Sequence, residues 1–443
     1  MSSYLEKQQQ IAAQIGNGNG SVRLAKPTSN LFRSRRDGNQ RQLKAADFNQ
    51  VLSVDSTAQT VEVEGMTPYE TLSRACLEQH CMPKVVPQLK SITIGGAVSG
   101  IGIESSSFKY GLPHESIREM DVLLADGDVV TATPDNQYSD LFHGIPNSYG
   151  TLGYVLRLVA DTVPVQPYVH LKHRKFADAM AFFQAVTEAC QSNADFVDGT
   201  VFSATELVLT EARLVPEAPY TSDYTWLKIY YRSLQSKSED YLGIYDYLWR
   251  WDTDWFWCSK NVFVQNLPAR MVLGRRYLNS TTYQKVMRWN TRVGVTRRIN
   301  AWLDKATESV IQDVDIPIEN ATRFLGFFQR EIGISPVWIC PIGGHDPNRE
   351  FPFYKLNGEG LFINFGFWDV VPNPDKHPMG HFNRLVEDKV TELGGTKSLY
   401  SDSYYDRESF WQLYNGDRYQ ALKEKYDPNR CFKDLYQKCV LKQ

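Results

Sequence analysis

Chemistry in this sequence begins at residues 93–107, TIGGAVSGIGIESSS. Gly95, Gly96, Gly100 and Gly102 remove side chains where a strand is expected to pass into a loop. Glycine admits positive φ and lets a ligand lie against the backbone. Successive exposed N–H groups in such a loop form a nest for an anion such as a diphosphate. Ser105, Ser106 and Ser107 would add hydroxyl donors. The stretch is not the G-x-G-x-x-G fingerprint of a βαβ dinucleotide fold, which also needs an acidic residue about 20 positions on. Nor is it a P-loop, because no Gly-Lys-Ser/Thr follows. The same pattern also fits a glycine-lined bulge in a sheet.

The elements that must position this stretch are readable on either side. Residues 51–55 and 60–64 alternate apolar with polar, as strands with one wet face do. Residues 67–80 have helical period, with Leu72, Ala75, Cys76 and Gln79 on one face and Thr67 placed to cap the start. Residues 120–132 predict a hairpin around Asp126-Gly127. Residues 139–142 open a short helix, and 150–165 read as a glycine turn feeding a long strand. Past Pro164 and Pro167 come a helix over 176–190 and strands over 307–317 and 360–367. Strands and helices mix without a regular βαβ repeat, so the expected class is α+β. The spacing places a boundary near 165: a first domain over 1–165, a second over 166–419, and a tail, 420–443, returning to the first.

Composition bounds the function. The 443 residues are 42% hydrophobic and 22% charged, enough for a large core. A net charge of -3 argues against a nucleic-acid coat, which needs a basic field. The seven cysteines are scattered with no CxxC pair, so neither a disulfide framework nor a metal site is expected. No signal-type h-region or membrane-length apolar run is present, and a cytoplasmic location is the simplest expectation.

Residues 87–91 (PQLKS), 93–102 and 150–155 (GTLGYV), in that order and spacing, resemble the FAD-binding domain of the vanillyl-alcohol oxidase superfamily. The resemblance implies a two-subdomain PCMH-type FAD-binding domain plus an α/β cap built on an antiparallel sheet. It further implies cofactor contacts from Gln88, Thr93, Ile94, Gly95, Gly96, Gly100, Gly102, Ile103, Glu104 and Ser105, and from Gly150, Gly153 and Val155. The family's earlier loop is matched by Lys26, Pro27, Thr28 and Ser29. Its usual glycine-histidine segment is missing here, which points to non-covalent FAD.

A closer resemblance runs through residues 102–111 (GIESSSFKYG), 122–127, 139–142, 310–313, 336–341 and 407–411. These strings are similar to the Δ24-sterol reductase (Diminuto/seladin) family. Two departures are Phe108, where those enzymes carry histidine, and the lack of their N-terminal membrane segment. The resemblance implies reduction of an isolated carbon–carbon double bond, with NADPH as electron donor. The implied substrate is a sterol-like molecule or an unsaturated or methylene-branched fatty acyl chain. A lipid desaturase, a sugar or alcohol oxidase, and a non-catalytic lipid- or flavin-binding module are the rival expectations.

Alkene reduction needs a proton donor beside the flavin. Gln312 and Asp313 lie on the strand expected over 307–317, whose alternation would aim Asp313 into a cleft. Tyr404, Tyr405, Glu104 and His114 are the other candidates; the competing account is packing against the sheet for the tyrosines, an ion pair for Glu104 and solvent exposure for His114.

Residues 270–303 carry Arg270, Arg275, Arg276, Lys285, Arg288, Arg292, Arg297 and Arg298 and no acidic residue. Met287, Trp289, Trp302 and Leu303 are interleaved, and Trp249, Trp251, Trp255 and Trp257 stand just upstream. Basic residues among tryptophans suit an anionic lipid surface, so a peripheral membrane contact is expected through 249–303. They also suit NADPH phosphates, an acyl carrier, or an arginine-rich cap helix paired with acids elsewhere in the fold.

Overall fold

Alternating patterns fold as expected into antiparallel sheets. The computed structural model describes residues 3–16, 20–26, 32–33, 40–294, 306–344, 346, 349–356 and 360–443. Among them, one sheet runs in the order Val51–Asp55, Thr60–Glu64, Tyr154–Pro164, Ile117–Leu123, Val129–Ala132, with Cys81–Pro83 also paired to the long strand. The hairpin turns at Asp126-Gly127, where Gly127 takes φ +98°. The helix expected over 67–80 spans Tyr69–Leu77 and buries Tyr69, Leu72 and Cys76. Thr67 does not cap it. Pro68 holds the cap position, and the Thr67 hydroxyl donates to the Gln50 carbonyl instead.

The glycine stretch is corrected from strand-to-loop to a helix, Ile94–Gly100. Thr93 caps it, its Oγ1 accepting from the Gly96 N–H at 3.3 Å. Three glycines in seven residues argue against a helix on propensity. Packing decides otherwise: Ile94, Ala97 and Val98 are buried at helical spacing. A Cβ on Gly95 would stand 2.7 Å from the Gly65 carbonyl oxygen, so this glycine serves close helix-to-loop packing.

The second sheet is wholly antiparallel. Its order is Glu239–Gly243, Tyr168–Phe176, Glu206–Val215, Phe196–Ser203, Val337–Ile342, Phe362–Pro372, Thr307–Pro317, Thr396–Lys397. Helices Ala179–Cys190, Ile318–Glu331 and His381–Glu392 cover one face, over a core that includes Phe182, Phe324, Phe328, Phe365 and Phe367. Phe108 joins this core from the glycine-rich region. Side chains alternate between sheet faces. Val310 and Val314 go to the helix side, Ile311 to the opposite side. The C-terminal tail packs back on the first sheet's loops: Lys423 donates to the Thr151 carbonyl at 2.7 Å, and the Val22 N–H to the Cys431 carbonyl at 2.9 Å.

Candidate active site

A cleft of about 2050 Å³, open solvent at its mouth included, is walled by both sheets and the tail. Lys26, Gln88, Thr93, Gly95, Gly96, Gly100, Gly102, Ile103, Gly150, Gly153 and Val155 line it. Ile94 is buried as the first residue of the glycine helix. Pro27, Thr28 and Ser29 lie outside the described residues, as do Arg297, Arg298, Trp302, Leu303 and the side chain of Arg292.

The amides available to a ligand are not the ones the glycine pattern suggests. The N–H groups of Ile94, Gly95, Gly96 and Ala97 are bonded to Thr67 O, Gly65 O, Thr93 Oγ1 and Thr93 O. Beyond the helix, Ile101 takes φ +60° and turns the chain along the cleft. Among the described residues, no acceptor is paired with the N–H groups of Ile101, Gly102 or Ile103. Unpaired donors beside a cleft await a ligand or water. The Lys26 ammonium, 3.1 Å from Thr93 Oγ1, adds positive charge to the same lining. Donors of this kind beside an aromatic wall fit a flavin dinucleotide.

The serines do not contribute. Ser106 donates to the Lys84 carbonyl, and Ser107 accepts from the Glu104 N–H. Ser105 is fully buried between Glu104, Tyr247 and Arg250. Glu104 is likewise withdrawn from the cleft. Its carboxylate stands 3.6 Å from Arg250, which also pairs with Asp198 at 2.8 Å. Burial pushes the Glu104 carboxyl up to about 7, against the opposing pull of Arg250. Trp338 Nε1 donates to Asp198 at 3.3 Å, tying this cluster to the cleft wall.

The wall on the side of the second sheet is apolar: Trp338 and Trp368 from its strands, with Trp255 and Phe256 from the short-helix segment after Leu248. Phe256 and Trp368 pack with ring centroids 4.4 Å apart, and Phe32 stacks on Trp255 at 5.4 Å. Trp249, Trp251, Trp255 and Trp257 are all buried, which corrects the expectation that they face a membrane.

Asp313 is the carboxylate in this wall. Its Oδ1 is buried with no hydrogen-bond partner, and no ion pair among the described residues reaches it. Burial raises its carboxyl to about 8; the neighbouring Tyr400 hydroxyl pulls down and Asp315 pushes up. Tyr400 lines the cleft too and accepts from Trp368 Nε1 at 2.7 Å. Gln312, one residue away, faces the helix side and donates to Asn383 Oδ1 at 2.8 Å. Adjacent residues of a strand cannot both reach one cleft, so pairing Gln312 with Asp313 is corrected.

Tyr404 is also absent from the lining; its ring lies against Gly380 and 5.3 Å from the Arg384 guanidinium. Tyr405 packs in the core against Tyr414. His114 is buried edge-on to Phe351 at 4.4 Å, and burial lowers it to about 3. Sequence reasoning missed Tyr400, Arg33 and Lys438 in the lining. They lie far apart in the chain and carry no local pattern. Trp338 sat in a quoted motif, and strand alternation was the signal that could have placed it.

Among the described residues no helix is long and apolar enough to cross a membrane, and no cluster of metal-ligating side chains occurs. A family profile described as FAD binding domain matches residues 28–133. The chain is 29% identical over 405 residues to the Delta(24)-sterol reductase of Homo sapiens, covering 88% of this chain and 75% of that protein. It is 28% identical over 405 residues to that of Macaca fascicularis and 25% over 446 to that of Arabidopsis thaliana, with the same shares covered.

Proposed function

We infer that this chain, which carries an FAD binding domain and is similar to Delta(24)-sterol reductases along most of its length, is an FAD-dependent oxidoreductase acting on a carbon–carbon double bond. The finer reading is reduction of an alkene in a lipid, a sterol-like molecule or an unsaturated fatty acyl chain, with NADPH as electron donor, at a membrane face. Residues 1–165 with the returning tail form the FAD part, and 166–419 the substrate cap. One observation carries the reading: a carboxyl with no cation partner among the described residues, set in a tryptophan- and phenylalanine-walled cleft beside backbone donors that those residues leave unpaired.

The amides of Ile101, Gly102 and Ile103, with Lys26, would hold the cofactor. Bound FAD supplies a hydride to one alkene carbon. Asp313 holds the proton for the other carbon. With its carboxyl raised to about 8, it is protonated at neutral pH. Tyr400, anchored by Trp368, orients that carboxyl. The aromatic wall excludes water and accepts an apolar chain; a sugar oxidase would need polar groups there.

The test is an anaerobic titration of the purified yellow protein. NADPH should bleach the flavin, and an unsaturated lipid should restore its colour. Restoration by oxygen and sugars alone, with peroxide released, would replace this reading with an oxidase.

A further inference from the structure

Nine of the seventeen large apolar side chains left exposed among the described residues fall between positions 263 and 293. They include Phe263 at 78% exposure, Val272 at 87% and Trp289 at 59%. The rest are scattered over the chain. The segment forms two consecutive helices, Leu267–Tyr277 and Ser280–Val293. On the second, Tyr283 points inward and its hydroxyl donates to the Thr253 carbonyl. Val286, Trp289 and Val293, spaced three and four apart, share an outward stripe. Such clustering marks an interaction surface; single exposed apolar residues do not.

Charge identifies the partner. Residues 263–293 contain no Asp or Glu in a chain whose net charge is -3. Lys285 and Arg288 are exposed on the helix that carries the apolar stripe, and Arg276 is exposed on the preceding helix. Arg275 is exposed as well, paired at 2.6 Å with Asp223. A two-fold contact with a second copy would set these cations against themselves. A bilayer with anionic headgroups satisfies both features: apolar side chains enter the acyl boundary while lysine and arginine snorkel to phosphates. The segment also follows directly on Trp255, Phe256 and Cys258, which line the cleft.

We propose that the exposed face of residues 263–293 docks the protein on anionic membranes. This rests on the lipid-substrate reading for its purpose, while binding itself stands apart from it. The experiment is flotation of the FAD-loaded protein with phosphatidylcholine vesicles, with and without phosphatidylglycerol. The wild type should float only with the anionic vesicles. Lys285→Gln with Arg288→Gln should weaken binding about 25-fold, roughly 5-fold per cation. Val272→Asp with Trp289→Asp should abolish flotation while leaving bound flavin and turnover of a detergent-dispersed alkene unchanged. A wild type that stays in the dense layer overturns the proposal. So does a wild-type dimer, seen by sedimentation, that Val272→Asp with Trp289→Asp splits. A protein that floats yet reduces no alkene would sink the reaction and leave the docking face standing.

Discussion

Glu104, buried, and Asp313, half-buried in the cleft wall, are carboxyls on opposite sides of one boundary, raised by burial to about 7 and about 8. Around Glu104 stand Arg250, Asp198 and the rings of Tyr247 and Trp338, a buried ion cluster fastening the glycine-rich region to the second sheet. Around Asp313 stand a phenol, an indole and an open cleft. The first arrangement has its counter-charge built in and serves structure. The second has no counter-charge among the described residues, so neutrality there depends on a proton, and that proton can be given to a substrate.

Substitutions can break or sharpen this contrast. The largest effect is expected from Asp313→Asn, which should lower alkene turnover by about 10²- to 10⁴-fold, the usual worth of a general acid. Flavin content and its reduction by NADPH should not change, which absorbance reads directly. Arg250→Met leaves Glu104 and Asp198 buried without their cation. It should cost about 3–5 kcal/mol of stability, read as a lower urea midpoint. Gln312→Leu removes a buried hydrogen bond to Asn383 and should cost roughly 1–2 kcal/mol with turnover intact. A turnover loss comparable to that of Asp313→Asn would restore Gln312 to the chemistry. Tyr400→Phe is the smallest: it removes the hydroxyl that holds Asp313 down, so the alkaline limb of turnover should move to higher pH.

The period-2 runs gave the strands and, at Asp313, the direction of a side chain. The same rule excluded Gln312 from the cleft, had it been applied to both neighbours. The glycine run marked the right place in the chain for a ligand but the wrong backbone. Its helix depends on Gly65, Thr67 and Tyr149 approaching from distant segments, which local propensity does not report. Likewise, four tryptophans in nine residues look alike on paper whether they face lipid or core. Contacts with Phe32, Tyr230, Tyr245 and Trp368 put them inside. Arg250 had no signal at all, since its partners Glu104 and Asp198 are 146 and 52 positions away.

The most direct test is the pH dependence of flavin reoxidation by an unsaturated lipid in a single anaerobic turnover. A proton donor must carry its proton, so the wild-type rate should hold below about 8 and fall as pH rises through that value. In Asp313→Asn the rate should be uniformly slow, with no such limb. Equal rates and the same limb in both proteins would contradict the assignment of Asp313.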